Sequence, residues 1–396
     1  MLVNICTDDP VLPAVTNLLA DHPSETERIS LQQLCDEFSL NTDQQHTFYI
    51  IANHANECSP NPLRMYVGGE AGTGKSRLIH AVTEFFMRSG MARRLRLTSY
   101  MGVAARNIKG MTLHAALQLS QRKRSAKTTN DLIAMWQGVE YLFIDEVLMI
   151  GCAFLAQLSE SLSIAKGNSQ PFGGISIIFS GDFAQLPPVA QTRLFSHINT
   201  SRVSTRAGQQ DVFGKLLWLS VDTVVILSEV MRQGGDENTA YCDLLGRLRI
   251  GRCIDADFEL LNSRLLSTVV CTQPCRHWHT SPFIVTDNEV KDALNIRATC
   301  EFSTCTHRPV QWYYSLDTRR GAPMADQALQ DYLSNVQSGS TNQRLGKLPL
   351  VIGMPVMIVQ NFDISNGIVN GCTGDLVSIR STVDSHGRLH AHSCVI

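Results

Sequence analysis

The sequence lacks both a strong excess of charge and long apolar runs. Its 396 residues include 34 Lys and Arg against 36 Asp and Glu, which gives a formal net charge of −2. This balance excludes a polycationic protein that coats nucleic acid through its overall charge. No run of 18 uncharged apolar residues occurs, and the first residues lack the positive flank of a secretory signal. We therefore expect an intracellular protein without a transmembrane segment.

The twelve cysteines also lack the dense, regular spacing of a small disulfide-rich protein, so we expect most of them to be reduced. Charged residues make up only 18% and hydrophobic residues 44%, a composition that excludes long disorder and favours folded domains. At roughly 100–200 residues per domain, the length indicates two or three domains. No repeat or low-complexity block supports a solenoid.

One group of cysteines and histidines has side chains that suit zinc, but its spacing is irregular. The group contains Cys271, Cys275, His277, His279, Cys300, Cys305 and His307. Closed structural zinc sites usually show a C-x₂₋₄-C pair together with a second matched pair, which this spacing does not provide. Zinc binding therefore stays an open alternative.

Short apolar runs alternate with helix-compatible stretches from about residue 63 onward. The runs are bounded by Gly, Asp or Ser, as is typical of buried parallel strands. They cover residues 63–67, 95–99, 141–144, 175–179 and 224–227. This alternation predicts an α/β fold in which a parallel sheet carries helices on both faces.

A second set of elements begins after residue 228, where we place a domain boundary. The pattern predicts a helix at 237–249, a strand at 283–286, a helix through Asn295, a strand at 355–360, and a hairpin of 375–379 and 389–395 around Ser385-His386-Gly387. We thus expect a helical or irregular N-terminal segment at 1–37, a first domain at 38–227 and a partial second domain with a small β-rich insert at 228–396. Because the last residue follows the hairpin directly, we expect the second domain to be incomplete.

The most informative segment lies between a predicted strand and a predicted helix at 77–87. From Gly69 it matches the pattern G-x-x-x-x-G-K-[ST], in which backbone N–H groups close around phosphates. Lys75 supplies a positive charge to the β- and γ-phosphates, and Ser76 supplies a hydroxyl ligand for Mg²⁺. The helix that follows adds the anion affinity of its N-terminus. The predicted nucleotide-binding residues of this segment are Gly69, Gly72, Thr73, Gly74, Lys75 and Ser76.

Two adjacent carboxylates follow the apolar run 141–144. In open α/β sheets, ligands bind at the carboxyl ends of the strands, where Asp145 and Glu146 are expected. Asp145 is suited to hold Mg²⁺, and Glu146 is suited to orient or deprotonate the water that attacks the γ-phosphate. The pair favours ATP hydrolysis over kinase chemistry. The alternative is that both acids only cap the next helix.

A polar amide follows the next predicted strand. Gln185 lies in the segment Ser180-Gly181-Asp182-Phe183-Ala184-Gln185-Leu186-Pro187-Pro188, three residues after an acid and before a rigid Pro-Pro pair. It is a candidate sensor of the γ-phosphate. A solvated loop glutamine is an equal alternative.

Five segments, taken in order, resemble the motifs of superfamily 1 helicases, and most closely those of the petite integration frequency (Pif) family. They are GGEAGTGKS (68–76), GVAARNIKGMTLH (102–114), IDE (144–146), GDFAQLPP (181–188) and LSEVMRQ (227–233). Residues 281–295 and 367–371 resemble in particular the Pif-type helicases encoded by Helitron transposons. The resemblance spans about residues 38–380.

This resemblance implies two RecA-like domains that bind ATP between them and drive 5′-to-3′ movement along single-stranded DNA and duplex unwinding. It also implies DNA junctions as partners, and repair, recombination or transposition as processes. Gln44 resembles the family's adenine-reading glutamine, although Gln45 is adjacent. Arg232 corresponds to the arginine that reaches the γ-phosphate from the second domain, with a surface ion pair to Glu229 as the alternative.

The resemblance also suggests where DNA binds. Thr98, Gly102 and His114 lie in segments that resemble strand-contacting motifs, where a hydroxyl, exposed backbone and an imidazole hold phosphates or sugars. The basic run Arg122-Lys123-Arg124, with Lys127 nearby, is suited to track a phosphate backbone. The same run is equally typical of a solvated loop or of a nuclear-targeting segment, and we expect a nuclear location.

Later family motifs, a Thr-x-His segment, Ser-Gln-Gly and a Ser-Arg pair, are missing after Gly371. In the family these motifs supply a second arginine at the γ-phosphate and couple DNA binding to closure of the cleft. We therefore weigh an ATP-dependent DNA helicase against a truncated, catalytically weak module that binds ATP and single-stranded DNA. A third class, a small-molecule phosphotransferase, is disfavoured because segments 181–188 and 227–233 match helicase motifs.

Overall fold

A computed structural model describes residues 30–57, 59–119, 126–197, 201, 203–231, 238–265, 282–319, 322–324, 326–360, 362–363 and 368–396. These residues fall into two compact units, one at 30–265 and the other at 282–396. In the described part of the chain, no helix combines the length and the apolar character needed to cross a membrane.

The first unit is built from helices and parallel strands in alternation. Its helices are α1 (Leu31–Glu37), α2 (Thr42–Asn56), α3 (Lys75–Arg88), α4 (Gly102–Asn107), α5 (Leu113–Ala116), α6 (Ala126–Trp136), α7 (Cys152–Lys166), α8 (Arg206–Leu219), α9 (Thr239–Arg249) and α10 (Asp255–Asn262). Its strands are β1 (Arg64–Gly69), β2 (Leu95–Ser99), β3 (Met111–Thr112), β4 (Tyr141–Asp145), β5 (Ser176–Gly181) and β6 (Thr223–Leu227). Helices α9 and α10 follow the boundary expected at residue 228 and belong to this first unit.

All six strands join in one parallel sheet with the order β3-β2-β4-β5-β1-β6. Two apolar cores cover its opposite faces, as alternate residues of β4 show. Leu142 and Ile144 pack with α5 to α8, whereas Tyr141 and Phe143 pack with α1 to α3. The predicted α/β fold, with a parallel sheet between two layers of helices, is confirmed.

The apolar runs were good predictors of these strands, and the central ones lie buried between the two helical layers. Strands β4 and β5 are buried at every position. The parallel register places the ends of β1, β4 and β5 at the same edge, where Gly68 pairs with Gly181 and Ile144 with Phe179. The loops after these three strands therefore meet at one edge of the sheet.

The second unit is smaller and richer in antiparallel strands. Its helices are α11 (Asn288–Thr306) and α12 (Gln327–Ser334). Its strands are β7 (Gln311–Tyr314), β8 (Thr318–Arg319), β9 (Ala322–Pro323), β10 (Lys347–Leu350), β11 (Pro355–Met357), β12 (Thr373–Asp375), β13 (Ser378–Val383) and β14 (Leu389–Val395). Strands β10-β7-β14-β13 form one sheet around a core of Tyr313, Leu350 and Leu376.

The predicted hairpin is present, with its first strand at β13 rather than at 375–379. Residues Thr373–Asp375 instead pair with β11, which covers the first half of the strand expected at 355–360. The strand expected at 283–286 is wrong: this segment has no strand, Ile284 is 99% exposed and Phe283 is 64% exposed. An apolar run forms a strand only where a partner pairs with it, and the sequence cannot show that partner.

Candidate functional site

A glycine-rich loop connects the buried strand β1 to helix α3. Gly72 and Gly74 have φ angles of 93° and 81°, in a region that other residues rarely adopt. Gly74 is the N-cap of α3, so Lys75 and Ser76 open the first turn of that helix. This strand, loop and helix geometry is the anion-binding arrangement that the sequence pattern predicts.

Gln44 of α2 packs against this loop and is hydrogen-bonded to it. Its side chain is fully buried, its Oε1 accepts from the backbone N–H of Asn41 at 3.0 Å, and its Nε2 donates to the Thr73 carbonyl at 3.0 Å. A Cβ atom on Gly74 would collide with Nε2 of Gln44. The geometry therefore gives Gln44 a role under the phosphate loop and does not present its amide to a base. The neighbouring Gln45 donates to the Leu40 carbonyl.

Lys75 lies over the loop that precedes it. Its Nζ donates to the carbonyls of Gly69 and Glu70 at 2.8 and 2.9 Å. Burial lowers the pKa of Lys75, while the charges of Asp182, Asp145 and Glu146 act in the opposite direction. Three carboxylates thus lie within electrostatic reach of this ammonium group. Ser76 is exposed beside it.

Asp145 and Glu146 follow β4 at the same edge of the sheet. Asp145 is 7% exposed, and burial raises the pKa of its carboxyl group. Burial, followed by the charge of Asp145, also raises the pKa of Glu146. Glu146 has a left-handed backbone with φ 57° and ψ 47°, and its side chain makes no capping hydrogen bond to the 3₁₀ turn Val147–Met149. Glu146 is therefore the N-cap residue of this turn by position, without a side-chain capping bond.

A third acid, Asp182, lies at the end of β5 and is almost fully buried. Arg249 of helix α9 binds it through two parallel contacts, Nη1 to Oδ2 at 2.9 Å and Nη2 to Oδ1 at 2.6 Å. Burial acts to raise the pKa of Asp182, but the hydrogen bonds from Arg249 and from the Ala184 N–H outweigh it and lower that pKa. The exposed Gln185 follows, with Nε2 3.5 Å from Oδ2 of Asp182.

Strand β6 brings the next segment to the same loop. The N–H of Met231 donates to the carbonyl of Gly72 at 2.8 Å, and Asp43 accepts from both the N–H and the hydroxyl of Ser228. Residue 231 is therefore tied to the phosphate loop. Arg232 comes next in the chain but lies outside the described residues.

The donor atoms at this edge fit Mg²⁺. Ser76 and Asp145 offer a hydroxyl and a carboxylate, both hard oxygen ligands, and Mg²⁺ in nucleotide sites usually takes one or two protein ligands together with phosphates and water. Such a site needs no dense cluster of protein ligands. In keeping with this, no group of three or more His, Cys, Asp or Glu side chains is arranged for a metal within the described ranges.

The predicted DNA contacts have different outcomes. Thr98 is fully buried and donates its hydroxyl to the Phe143 carbonyl at 2.9 Å, so it cannot contact DNA at the surface. Gly102 begins α4, and His114 is exposed with its ring 5.4 Å from that of Tyr100. The basic run Arg122-Lys123-Arg124 lies outside the described residues.

The zinc alternative gains no support from the residues that can be located. Cys300 and Cys305 are exposed on α11, and His307 ends that helix with a φ of 54°. Cys271, Cys275, His277 and His279 lie outside the described residues. No metal-binding cluster includes the three described ones.

Sequence reasoning missed the roles of Asp182 and Arg249. Asp182 stands in a recognised segment, three residues before Gln185, so its position could have drawn attention to it. Arg249 belongs to no recognised segment and is 67 residues away from Asp182. Only the packing of α9 against the sheet edge reveals it.

Comparisons with known proteins place these features in a family. The family described as "PIF1-like helicase" matches residues 39–259, and the domain described as "DNA helicase Pif1, 2B domain" matches residues 337–379. The first match covers more than half of the chain and contains the glycine-rich loop, both acidic strand ends and Arg249. The second match lies within the smaller unit.

Individual relatives show the same similarity at the level of sequence. The chain is 28% identical over 380 residues to the ATP-dependent DNA helicase PIF1 of Xenopus laevis, a match that covers 91% of this chain and 50% of the frog protein. It is 29% identical over 327 residues to the protein of that name from Candida albicans, covering 80% of this chain and 33% of the relative. The chain therefore spans half or less of the length of these two relatives.

Solved structures show the same fold. The crystal structure of Pif1 helicase from Candida albicans aligns with a TM-score of 0.54 and 26% identity, over 88% of this chain and 70% of that one. A structure of two coordinating Pif1 helicases that unwind forked double-stranded DNA aligns with a TM-score of 0.60 and 20% identity, over 89% and 75%. These similarities confirm an α/β fold of the RecA-like, P-loop type.

Proposed function

Because the chain belongs to the family of PIF1-like helicases, we propose that it hydrolyses ATP and couples this reaction to 5′-to-3′ movement along single-stranded DNA and to duplex unwinding. One observation carries the proposal. The glycine-rich loop, Asp145-Glu146 and Gln185 follow three neighbouring parallel strands and meet at one edge of the sheet. This is where an open α/β sheet binds a nucleotide.

Each group has a role that follows from its chemistry. The phosphate loop and Lys75 hold the β- and γ-phosphates, so the Lys75 ammonium exchanges the carbonyls of Gly69 and Glu70 for phosphate oxygens. Ser76 and Asp145 would hold Mg²⁺, which would neutralise charge on the phosphates. The raised pKa of Glu146 suits a group that takes a proton from water.

Gln185 and Arg232 complete the proposed site. Gln185 is exposed in the turn after β5, beside Asp182, and we assign its amide the role of sensing the γ-phosphate. Arg232 directly follows Met231, whose N–H is bonded to the phosphate loop. That bond supports the proposal that the Arg232 guanidinium serves the γ-phosphate.

Single-stranded DNA is the proposed track, and DNA forks or junctions are the proposed duplex partners. Relatives described as bound to single-stranded DNA or acting on forked DNA support this assignment. On this chain, Gly102, the exposed His114 and the basic run at 122–124 are the proposed contacts. We further propose a nuclear role in repair, recombination or transposition, as the resemblance to Helitron-encoded helicases implies.

ATP turnover by the purified chain, with and without single-stranded DNA, tests the proposal. We expect DNA to stimulate hydrolysis, Lys75→Ala to abolish it, and Glu146→Gln to stop turnover while a fluorescent ATP analogue still binds.

Strand displacement from duplexes with a 5′ or a 3′ overhang then tests polarity, with the 5′ overhang expected to be required. Turnover at the wild-type rate in either variant would contradict the assignments. ATP binding without turnover by the wild type would favour the binding-module alternative.

A further inference from the structure

Arg249 reaches the nucleotide site from a helix that carries no recognised motif. It is the last residue of α9, and its guanidinium group holds the carboxylate of Asp182 through two contacts of 2.9 and 2.6 Å. Its Nε lies 3.5 Å from the carboxylate of Glu70 in the phosphate loop. One side chain thus joins the loop after β1 to the turn after β5.

The charges around Arg249 indicate why the site needs this contact. The acids near the two cations Lys75 and Arg249 include Glu70, Asp145, Glu146 and Asp182. The Asp182 side chain is only 4% exposed, so water does little to screen its charge. Without Arg249, a buried anion would face the place where a triphosphate binds. The guanidinium group is a fork that matches both carboxylate oxygens, which lysine cannot do.

Asp182 in turn fixes the turn that carries Gln185. Its Oδ1 accepts from the N–H of Ala184 at 3.0 Å, and its carbonyl accepts from the N–H of Gln185 at 3.1 Å. Its Oδ2 lies 3.5 Å from the amide nitrogen of the Gln185 side chain. The Asp182 carboxylate therefore holds the turn at Ala184, directly before Gln185, and lies within contact distance of the Gln185 amide.

We propose that Arg249 is a positioning residue for ATP hydrolysis: it holds Asp182, and through it Gln185, in place, and it masks the charge of Asp182 from the nucleotide. This inference rests on the proposed ATPase function and adds a residue to it. The contact also anchors the end of α9 to the turn after β5.

Steady-state ATP turnover by the full chain tests the two roles separately. In Arg249→Ala we expect kcat to fall by about tenfold or more, because small misplacements of catalytic groups have effects of this size. We expect KM for ATP to rise as well, because the charge of Asp182 is exposed to the phosphates. Arg249→Lys keeps the positive charge but cannot make both contacts with the Asp182 carboxylate. KM for ATP should therefore return toward the wild-type value, while kcat stays low.

Helix α9 offers a matched control. Arg247 lies two residues before Arg249 and makes a similar forked pair with Asp257, at 2.9 and 2.6 Å, that holds the start of α10. Arg247→Ala removes an equivalent contact from the same helix and should leave kcat and KM within about twofold of the wild type. Thermal melting of each variant shows whether loss of stability alone explains a change in rate.

A double-mutant cycle decides whether Arg249 acts through Asp182. In an Asp182→Asn background, Arg249→Ala should change kcat and KM far less than it does in the wild type. An undiminished effect would mean that Arg249 acts through Glu70 or on the nucleotide directly, and would overturn the inference. Wild-type kinetics in Arg249→Ala would also overturn it while leaving the proposed function intact. A wild-type chain that neither binds nor hydrolyses ATP would overturn both.

Discussion

At the scale of the residue, Glu146 adopts a backbone conformation that favours glycine. Its effect on the stability of the protein can therefore be measured separately from its role in ATP hydrolysis. Its φ of 57° and ψ of 47° lie in the left-handed region, where a Cβ atom costs about 1 kcal/mol. Backbone strain of this kind is typically retained at functional sites. We therefore expect Glu146→Gly to have a higher Tm than Glu146→Ala, although neither hydrolyses ATP. The difference in the free energy of unfolding should be at most about 1 kcal/mol, since glycine also gains freedom in the unfolded chain.

Chemical denaturation of the three proteins, followed by circular dichroism, measures these free energies. Glu146→Asn serves as an intermediate case, because asparagine tolerates the left-handed region better than alanine. An Ala variant as stable as the Gly variant would mean that the backbone at this position relaxes without cost.

The sequence predicted residues whose roles follow from local spacing and failed where the role depends on the direction of a side chain. Lys75 and Ser76 lie in the expected place because the strand, loop and helix around them are continuous in the chain. Thr98 is in the expected strand, but its side chain is turned into the protein. Arg249 has no local pattern at all, since its partner Asp182 is distant in sequence. Burial and long-range pairing are properties of the folded chain.

At the scale of the element, the contact between α7 and α8 depends on one glycine. A Cβ atom on Gly214 of α8 would collide with the Cys152 carbonyl at the start of α7. Gly214→Ala should therefore push the two helices apart and destabilise the protein by roughly 1–3 kcal/mol. Gly246 of α9 is the matched control, because a Cβ atom there meets nothing within 4 Å.

Gly246→Ala should stabilise the protein by about 0.5–1 kcal/mol, since alanine favours a helix interior. Both free energies follow from urea denaturation of the two variants. Opposite signs for the same substitution in two helices would show that helix contact, not helix propensity, decides the outcome at Gly214. Equal effects would contradict the close approach of α7 and α8.

Element prediction was most accurate for the fully buried central strands and failed where an apolar run has no pairing partner. Strands β4 and β5 are central in their sheet, so their sequences are uninterrupted apolar runs. Residues 283–286 have a similar composition and form no strand. The hairpin of β13 and β14 was found from its turn, but the start of β13 was misplaced because residues 373–375 pair with another strand. Strand pairing cannot be derived from composition alone.

At the scale of the whole molecule, the two units differ in what holds them together. The first has large apolar cores on both faces of its sheet, whereas the described core of the second centres on three buried apolar residues. Polar contacts therefore matter more in the second unit. In the hairpin, Asp384 accepts from the N–H groups of His386 and Arg388, both at 2.8 Å, and lies 3.1 Å from His390 Nε2.

We expect these contacts to make the hairpin of the second unit sensitive to acid. The Arg388 N–H first, and then His390 and the His386 N–H, lower the pKa of Asp384 to about 2, below the value near 4 of an unfolded chain. A lowered folded pKa contributes stability that is present above about pH 4 and is lost as the pH falls toward 2.

Short pepsin digestion across this range, followed by mass spectrometry, should release peptides from 378–395 before peptides from β4 and β5. Asp384→Asn should release them already at pH 4 and differ little from the wild type near pH 2. Simultaneous release from both units in the wild type would mean that this hairpin does not limit the acid stability of the second unit.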